Sequence, residues 1–527
     1  MDTADTEGAA RPAPEAPETL SRGPSGGPPP ALGPRAAAAL VFLTSGAVLV
    51  LEILTLRLIA PYVGLTLETN TAVIGIALAA IATGAWLGGK AADVVPAERL
   101  LGPLVLGGGA LVFAVLPLVR WTGEAVRGGD ASGVLLIAAV AVFVPAALLS
   151  AVAPVVVKVR LATLRETGTV VGRLSGTGTL GAIAATFATG FVLVAMVPTS
   201  TILYALGGLL LVVGGVLSVR GLGGGRLPVA GRRSVAGPLV LALLGAAAGV
   251  AAPDPCALET AYHCARVATD PDRATGRVLL LDALRHSYVD LADPTWLEFA
   301  YTRGMASAID VFRPAGAPVR ALHLGGGGLT VPRYLAERRP GTRSLVLEID
   351  AGVLAIDRRT LPDVPGVRTR LGDARVGLAD QPAAGQDLVV GDAFGGVAVP
   401  WHLATREVLA DVRRVLTDDG LYVANVIDHG PLAFARAEVA TTAQVFPHVA
   451  LVATDAALTR RGGNLVIVAS PAPLPLDALR RRLAERSAER EPALRMVAGA
   501  ELVAFTGDAR VLTDDFAPVD QLLTPYG

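Results

Sequence analysis

The stretch Ala321-Leu-His-Leu-Gly-Gly-Gly-Gly-Leu-Thr330, followed after a helix-length gap by Val346-Leu-Glu-Ile-Asp350, decides the fold. An apolar run that stops at glycines, then a helix, then a second apolar run ending in acids predicts a β-α-β unit for a nucleoside. Gly325, Gly326 and Gly327 let the chain turn sharply after the first strand, so that main-chain N–H groups and the next helix's N-terminus face the ligand. Glu348 ends the second strand and is placed to hold two ribose hydroxyls. A third strand ending Gly372-Asp373-Ala374 brings Asp373 and Ala374 to the same sheet edge, a position suited to an adenine amino group. Neither Gly-x-Gly-x-x-Gly nor Gly-Lys-Ser/Thr occurs in this unit, which disfavours dinucleotides and nucleoside triphosphates. A sulfonium nucleoside fits better.

The chain has 527 residues, 52% of them hydrophobic, and a mean hydropathy of +0.55, too apolar for an ordinary soluble protein. Part of it must sit in a lipid bilayer. The net charge is -1 and the basic residues are dispersed, so nucleic acid is not an expected partner. Residues 1–35, rich in Pro, Gly and Ala, read as a disordered tail without a signal-peptide cleavage pattern. Residues 36–252 read as a helical membrane domain of about seven spans, near 36–60, 71–92, 100–119, 133–157, 177–197, 200–219 and 235–252.

Basic residues mark alternate loops: Lys90 and Arg99, then Lys158, Arg160, Arg165 and Arg173, then Arg220, Arg226, Arg232 and Arg233. By the positive-inside rule these loops and the N-terminus are cytoplasmic, and an odd number of spans puts the C-terminal domain outside. Nucleoside chemistry argues for the cytoplasm instead. The last stretch, near the minimum spanning length, decides between them, because it would lie in the interface if the domain is cytoplasmic. Glu52 and Arg57 sit inside the first apolar run, where charges are costly, and are candidates to pair within the bundle; Arg57 could instead snorkel to the interface. Gly88-Gly-Lys-Ala-Ala-Asp93 fits either a short transporter-type loop or close helix packing.

Cys256 and Cys264 are the only cysteines. Two thiols with His263 nearby do not make a zinc site, and no metal is expected. They read either as a disulfide in an oxidising compartment or as two reduced thiols. Residues 253–312 then form a linker and a small β-unit, with strands over 262–267 and 277–282 and a helix from Thr295 to Phe312 that carries Tyr301. Residues 313–527 form an α/β Rossmann-like, methyltransferase-type domain. Strands near 319–324, 344–348, 367–372, 387–391 and 421–427 alternate with helices such as Thr405 to Leu416, predicting a doubly wound parallel sheet. The runs 449–453 and 464–469 complete it as a hairpin edge.

From about Thr260 onward the chain resembles the spermidine synthase (polyamine aminopropyltransferase) family, and in particular its bacterial forms fused to a multi-pass membrane domain. The order of parts carries the resemblance: Arg277-Val-Leu-Leu-Leu-Asp282 with His286-Ser287, then Asp293 to Tyr301 to Met305. The glycine turn, Leu347-Glu-Ile-Asp350, Gly372-Asp373, Asp387-Leu-Val-Val-Gly-Asp392 and Leu416-Thr-Asp-Asp-Gly420 follow. The resemblance implies transfer of an aminopropyl group from decarboxylated S-adenosylmethionine to a small-molecule amine. By position it implies Asp392 as base, Tyr301 orienting the acceptor, His286 in the substrate pocket, and Glu348 and Asp373 on the nucleoside. A homodimer would also agree with the family.

Several positions depart from the family pattern. Gly328 stands where the family has an acid after the third glycine, and Gly395 where it has a second acid three residues after the base. His286 replaces a glutamine and Thr302 a histidine. Lost amine-binding acids beside retained nucleoside acids point to a changed acceptor, a changed donor or an inactive site. The alternatives are a methyltransferase using S-adenosylmethionine, or a non-catalytic binding or transport protein.

Overall fold

The computed structural model describes residues 32–64, 67–127, 131–161, 167–221, 229–396, 398–459 and 461–523. Most of the expected tail, with Arg165 and Arg226, lies outside the described residues. Helix α1 begins at Pro34, inside the stretch expected to be tail, because Pro is suited to a first helical turn.

Long apolar runs fold as helices, which pair their backbone polar groups within the segment. They are α1 (Pro34–Val63), α2 (Leu67–Val94), α3 (Ala97–Ala125), α4 (Ser132–Arg160), α5 (Thr167–Met196), α6 (Thr199–Gly221) and α7 (Val229–Ala251). Among the described residues six helices are long and apolar enough to cross a membrane; the apolar part of α7, Ala236–Ala251, is shorter. Gly245 lies against the Phe113 backbone, and Arg120 donates to the carbonyls of Gly249 and Ala252, so α7 runs alongside α3 within the bundle.

Small residues bring these helices into backbone contact. A Cβ at Gly84 would lie 2.1 Å from the Ala147 carbonyl oxygen, and one at Gly88 2.5 Å from that of Ala151. Gly88 therefore packs helices, while Asp93 from the same stretch pairs with Lys158. Arg57 and Glu52 do not pair with each other: five residues along a helix they are about 140° apart, and the Arg57 guanidinium donates to the Thr260 and Ala261 carbonyls.

One end of the bundle meets the C-terminal domain. There Arg57 holds the 260–261 backbone, Arg120 pairs with Asp254, and the Thr199 N–H donates to Glu259. The start of α1, the α2–α3 turn and the basic ends of α2 and α4 lie at the opposite end.

The β-unit is larger than the sequence suggests. Strands β1 (Leu258–Glu259), β2 (Cys264–Asp270), β3 (Arg273–Leu281) and β4 (Leu284–Asp290) form one antiparallel sheet in that order. Cys256 and Cys264 are joined as a disulfide. The helix that follows, α8 (Ala300–Phe312), starts five residues later than expected.

The main sheet uses β5 (Arg320–Leu324), β6 (Arg343–Glu348), β7 (Val367–Leu371), β8 (Gln386–Gly391), β9 (Leu416–Asp428), β10 (His448–Ala453), β11 (Gly463–Ser470) and β12 (Arg495–Ala498). Their order is β12-β10-β11-β9-β8-β5-β6-β7, with β7 through β9 parallel and the rest antiparallel. The sheet is thus mixed, and β10 and β11 do not form its edge, because β12 pairs outside β10. Helices α9 (Thr330–Arg338), α10 (Ala351–Thr360), α11 (Ala374–Ala379), α12 (Arg406–Val415), α13 (Ala433–Val445) and α14 (Leu476–Glu489) cover both faces. Met305, Ile309, Leu335 and Leu483 fill one face; Leu378, Leu409, Phe434 and Val439 fill the other. Ala265, Leu279 and Leu281 pack the β-unit onto Val353 and Ile356 of α10. The β-unit is thereby seated over the carboxyl ends of β5 and β6, where ligands bind in such sheets.

Candidate active site

Two backbone hydrogen bonds tie the ends of three strands together: Gly325 N–H to the Leu347 carbonyl, and Asp392 N–H to the Leu324 carbonyl, both 2.9 Å. Gly325 has φ +96°, and a Cβ there would lie 2.2 Å from the Asp392 carbonyl oxygen. Glycine is required on both counts. Gly328 has φ +71°, and a Cβ there would lie 2.0 Å from Ser287 Oγ of β4. A side chain here would be strained by the positive φ and would have to displace Ser287. At Gly395 a Cβ would meet, among the described residues, only the Ala398 carbonyl oxygen, at 4.0 Å.

Glu348, buried at the end of β6, accepts from the Gly326 N–H through Oε2 and from the Asp350 N–H through Oε1, each 2.9 Å. Burial pushes its carboxyl up while these N–H groups pull it down. Remaining lone pairs can accept hydroxyls. Asp373 caps α11, taking the N–H groups of Arg375 and Val376 on Oδ1, and its Oδ2 meets His402 Nε2 at 3.0 Å. Ala374 is buried behind it. Gly325 to Gly327, Glu348, Asp373 and Ala374 thus converge on one edge of the sheet.

Asp392 follows β8 on the other side of the glycine turn. Asn425 of β9 donates from Nδ2 to its Oδ1 at 3.0 Å, and Tyr301 of α8 approaches its Oδ2 at 3.5 Å. Removal from solvent pushes the Asp392 carboxyl up to about 6, with both donors pulling the other way. The Tyr301 phenol is raised well above its ordinary range by burial and then by Asp392, so it stays a donor. His286 does not join this group. A Cβ on Gly327 would lie 3.0 Å from its ring, and burial with the neighbouring His263 pushes its imidazole down to about 4. It faces the glycine turn as a neutral ring.

Three residues escaped the sequence reading. Asn425 lies 33 residues from Asp392, and Asn464 extends the network by donating to Asn425 Oδ1 at 3.0 Å. Asp357, buried on α10, accepts from the Gly328 N–H at 2.9 Å, and burial pushes its carboxyl up to about 7. Only the acid on the inner face of that helix could have signalled it. Other histidines have local partners: His323 meets Ser344, and His263 meets Asp282.

No family model matches the chain. Over 234 residues it is 34% identical to the polyamine aminopropyltransferase of Vibrio vulnificus (strain CMCP6), a match covering 42% of this chain and 75% of that protein. The chain belongs to the polyamine aminopropyltransferase family. Another such aminopropyltransferase, from Alkalilimnicola ehrlichii, is 34% identical over 113 residues, 20% of this chain and 39% of that one. Among solved structures, a probable spermidine synthase from Corynebacterium glutamicum ATCC 13032 is 28% identical, with a TM-score of 0.45, covering 51% of this chain and 98% of that one. Membership makes this an enzyme of the aminopropyltransferase type with a helical region before its Rossmann-like domain.

With Asp392 as the proposed base, which must be ionised to act, turnover of this aminopropyltransferase should rise as pH passes through about 6 and level off above it. Asn425→Leu removes a donor that favours the carboxylate, so the rise should move to higher pH. A pH–rate profile with an unmoved limb would separate Asn425 from the ionisation.

Proposed function

We propose that this protein transfers an aminopropyl group from decarboxylated S-adenosylmethionine to a small-molecule amine in polyamine biosynthesis. The observation that carries the reading is the direct backing of Gly325 on Asp392, which sets the nucleoside turn beside a carboxylate with a raised pKa. Glu348 would hold the ribose, Asp373 and Ala374 the adenine, and the turn Gly325 to Gly327 would approach the donor closely. His286, being neutral, would line the substrate pocket without repelling a cationic donor.

The attacking amine must be neutral, yet alkylamines are largely protonated at neutral pH. Asp392 would take that proton, and Tyr301 would orient the nitrogen towards the carbon beside the sulfonium. The new C–N bond forms as the C–S bond breaks, its electron pair staying on sulfur, so that a neutral thioether nucleoside leaves. Gly395 and Gly328, where the family carries acids, favour an acceptor other than a simple diamine. Asp392→Asn should lower kcat by about a hundredfold or more with little change in nucleoside affinity. Unchanged turnover in that variant would remove Asp392 as the base.

The helical domain would lie in the membrane with the catalytic domain outside the cytoplasm. Two observations support this: basic residues such as Lys158 and Arg160 lie at the bundle end away from the domain, and the only cysteines form a disulfide. A domain so placed uses donor delivered to that face. After mild reduction, Cys256 and Cys264 should react with a membrane-impermeant maleimide in intact cells. Protection until lysis would put the domain in the cytoplasm.

A further inference from the structure

The membrane bundle reaches the nucleoside site through a continuous set of hydrogen bonds. Arg57 of α1 donates from Nη1 to the Ala261 carbonyl at 2.7 Å and from Nη2 to the Thr260 carbonyl at 2.6 Å. Both carbonyls lie in the loop closed by the Cys256–Cys264 disulfide. The Thr260 hydroxyl accepts from the N–H groups of Tyr262 and His263 and donates to Asp350 Oδ2. Asp350 is 2% exposed, caps α10 through Gly352, and gives its own N–H to Glu348. The other oxygen of Glu348 holds Gly326.

Nothing in this path is slack. A Cβ on Gly352 would lie 2.4 Å from Thr260 Cγ2, so Thr260 seats directly on the first turn of α10. We propose that Arg57 and Thr260 are positioning residues of the donor site, acting through Asp350 on Glu348, so that nucleoside affinity depends on the docking of the membrane bundle. The proposal rests on the nucleoside reading of Glu348 given above. It follows from how the carboxylate is held: with Thr260 displaced, Asp350 keeps its cap on Gly352 but loses the partner that fixes its orientation, and the Glu348 bonds loosen with it.

The disulfide belongs to the same clamp. A dithiol reductant would supply two electrons and two protons, converting Cys256 and Cys264 to thiols while itself closing to a disulfide. The loop would then be held by hydrogen bonds alone: those of Arg57, of Thr260 to Asp350 and of the Thr199 N–H to Glu259, with the β1–β2 pairing.

The test uses the full-length protein in nanodiscs and the variants Arg57→Ala, Thr260→Val and Thr260→Ser. Hydrogen exchange without ligand should show the amides of Gly326 and Asp350 opening about tenfold faster in Arg57→Ala and Thr260→Val, the loss of roughly one hydrogen bond. Thr260→Ser, which keeps the hydroxyl, should restore protection, and the β10–β11 ladder should not change. In turnover, KM for decarboxylated S-adenosylmethionine should rise by a similar factor with kcat nearly constant. Faster exchange confined to residues 256–264 would overturn the proposal. If Arg57→Ala does not insert, Thr260→Val decides, since it lies outside the bundle. Failure of the wild type to bind the nucleoside would sink the function proposed above, while the exchange result would still decide the coupling.

Discussion

The contact of Gly325 with the Asp392 backbone is the constraint on which the site depends. It allows two adjacent parallel strands, β5 and β8, to end at the same level with their following residues in touch. A side chain at 325 would force them apart, since its Cβ would lie 2.2 Å from the Asp392 carbonyl oxygen, and Glu348 would no longer share a cleft with the proposed base. The positive φ at Gly325 and at Gly328 makes the turn tight enough for β4 to close over it through Ser287. The same closure places Ser287 against position 328. The glycine at 328 is therefore tied to the packing of the β-unit.

The junction with the bundle follows a similar logic. A part-buried Arg57 needs partners, and the carbonyls of Thr260 and Ala261 satisfy both of its terminal nitrogens. Arg120 does the same for the last carbonyls of α7 and for Asp254. Buried guanidinium groups of the helical bundle thus become the attachments of the C-terminal domain. Glu52, on a different side of α1, is not part of this attachment.

Local sequence made the centre of the fold readable. A strand, four glycines, a helix and an acid-ended strand are contiguous, so their geometry follows from residues next to each other. Asp392 was readable for the same reason, as the acid ending an apolar strand. Asn425, Asn464 and Asp357 were not, because their roles arise only when β8, β9, β11 and α10 are placed side by side. The edge strand β12 was missed since four residues following a polar helix carry little periodic signal. The β-unit was underestimated because β2 and β4 mix charged and apolar residues, and their pairing with β3 across short turns decides their extent. Likewise Arg57 could be recognised as unusual, but its partners lie more than 200 residues away.

What distinguishes aminopropyl transfer from methyl transfer is which carbon on the sulfonium is attacked, and the glycine turn with its acids would serve either. The most direct measurement is mass spectrometry of the products after the full-length protein is incubated with decarboxylated S-adenosylmethionine and a panel of amines. The account predicts methylthioadenosine in equal amount with an amine heavier by one aminopropyl group. A methylated amine, formed instead from S-adenosylmethionine with release of S-adenosylhomocysteine, would contradict it.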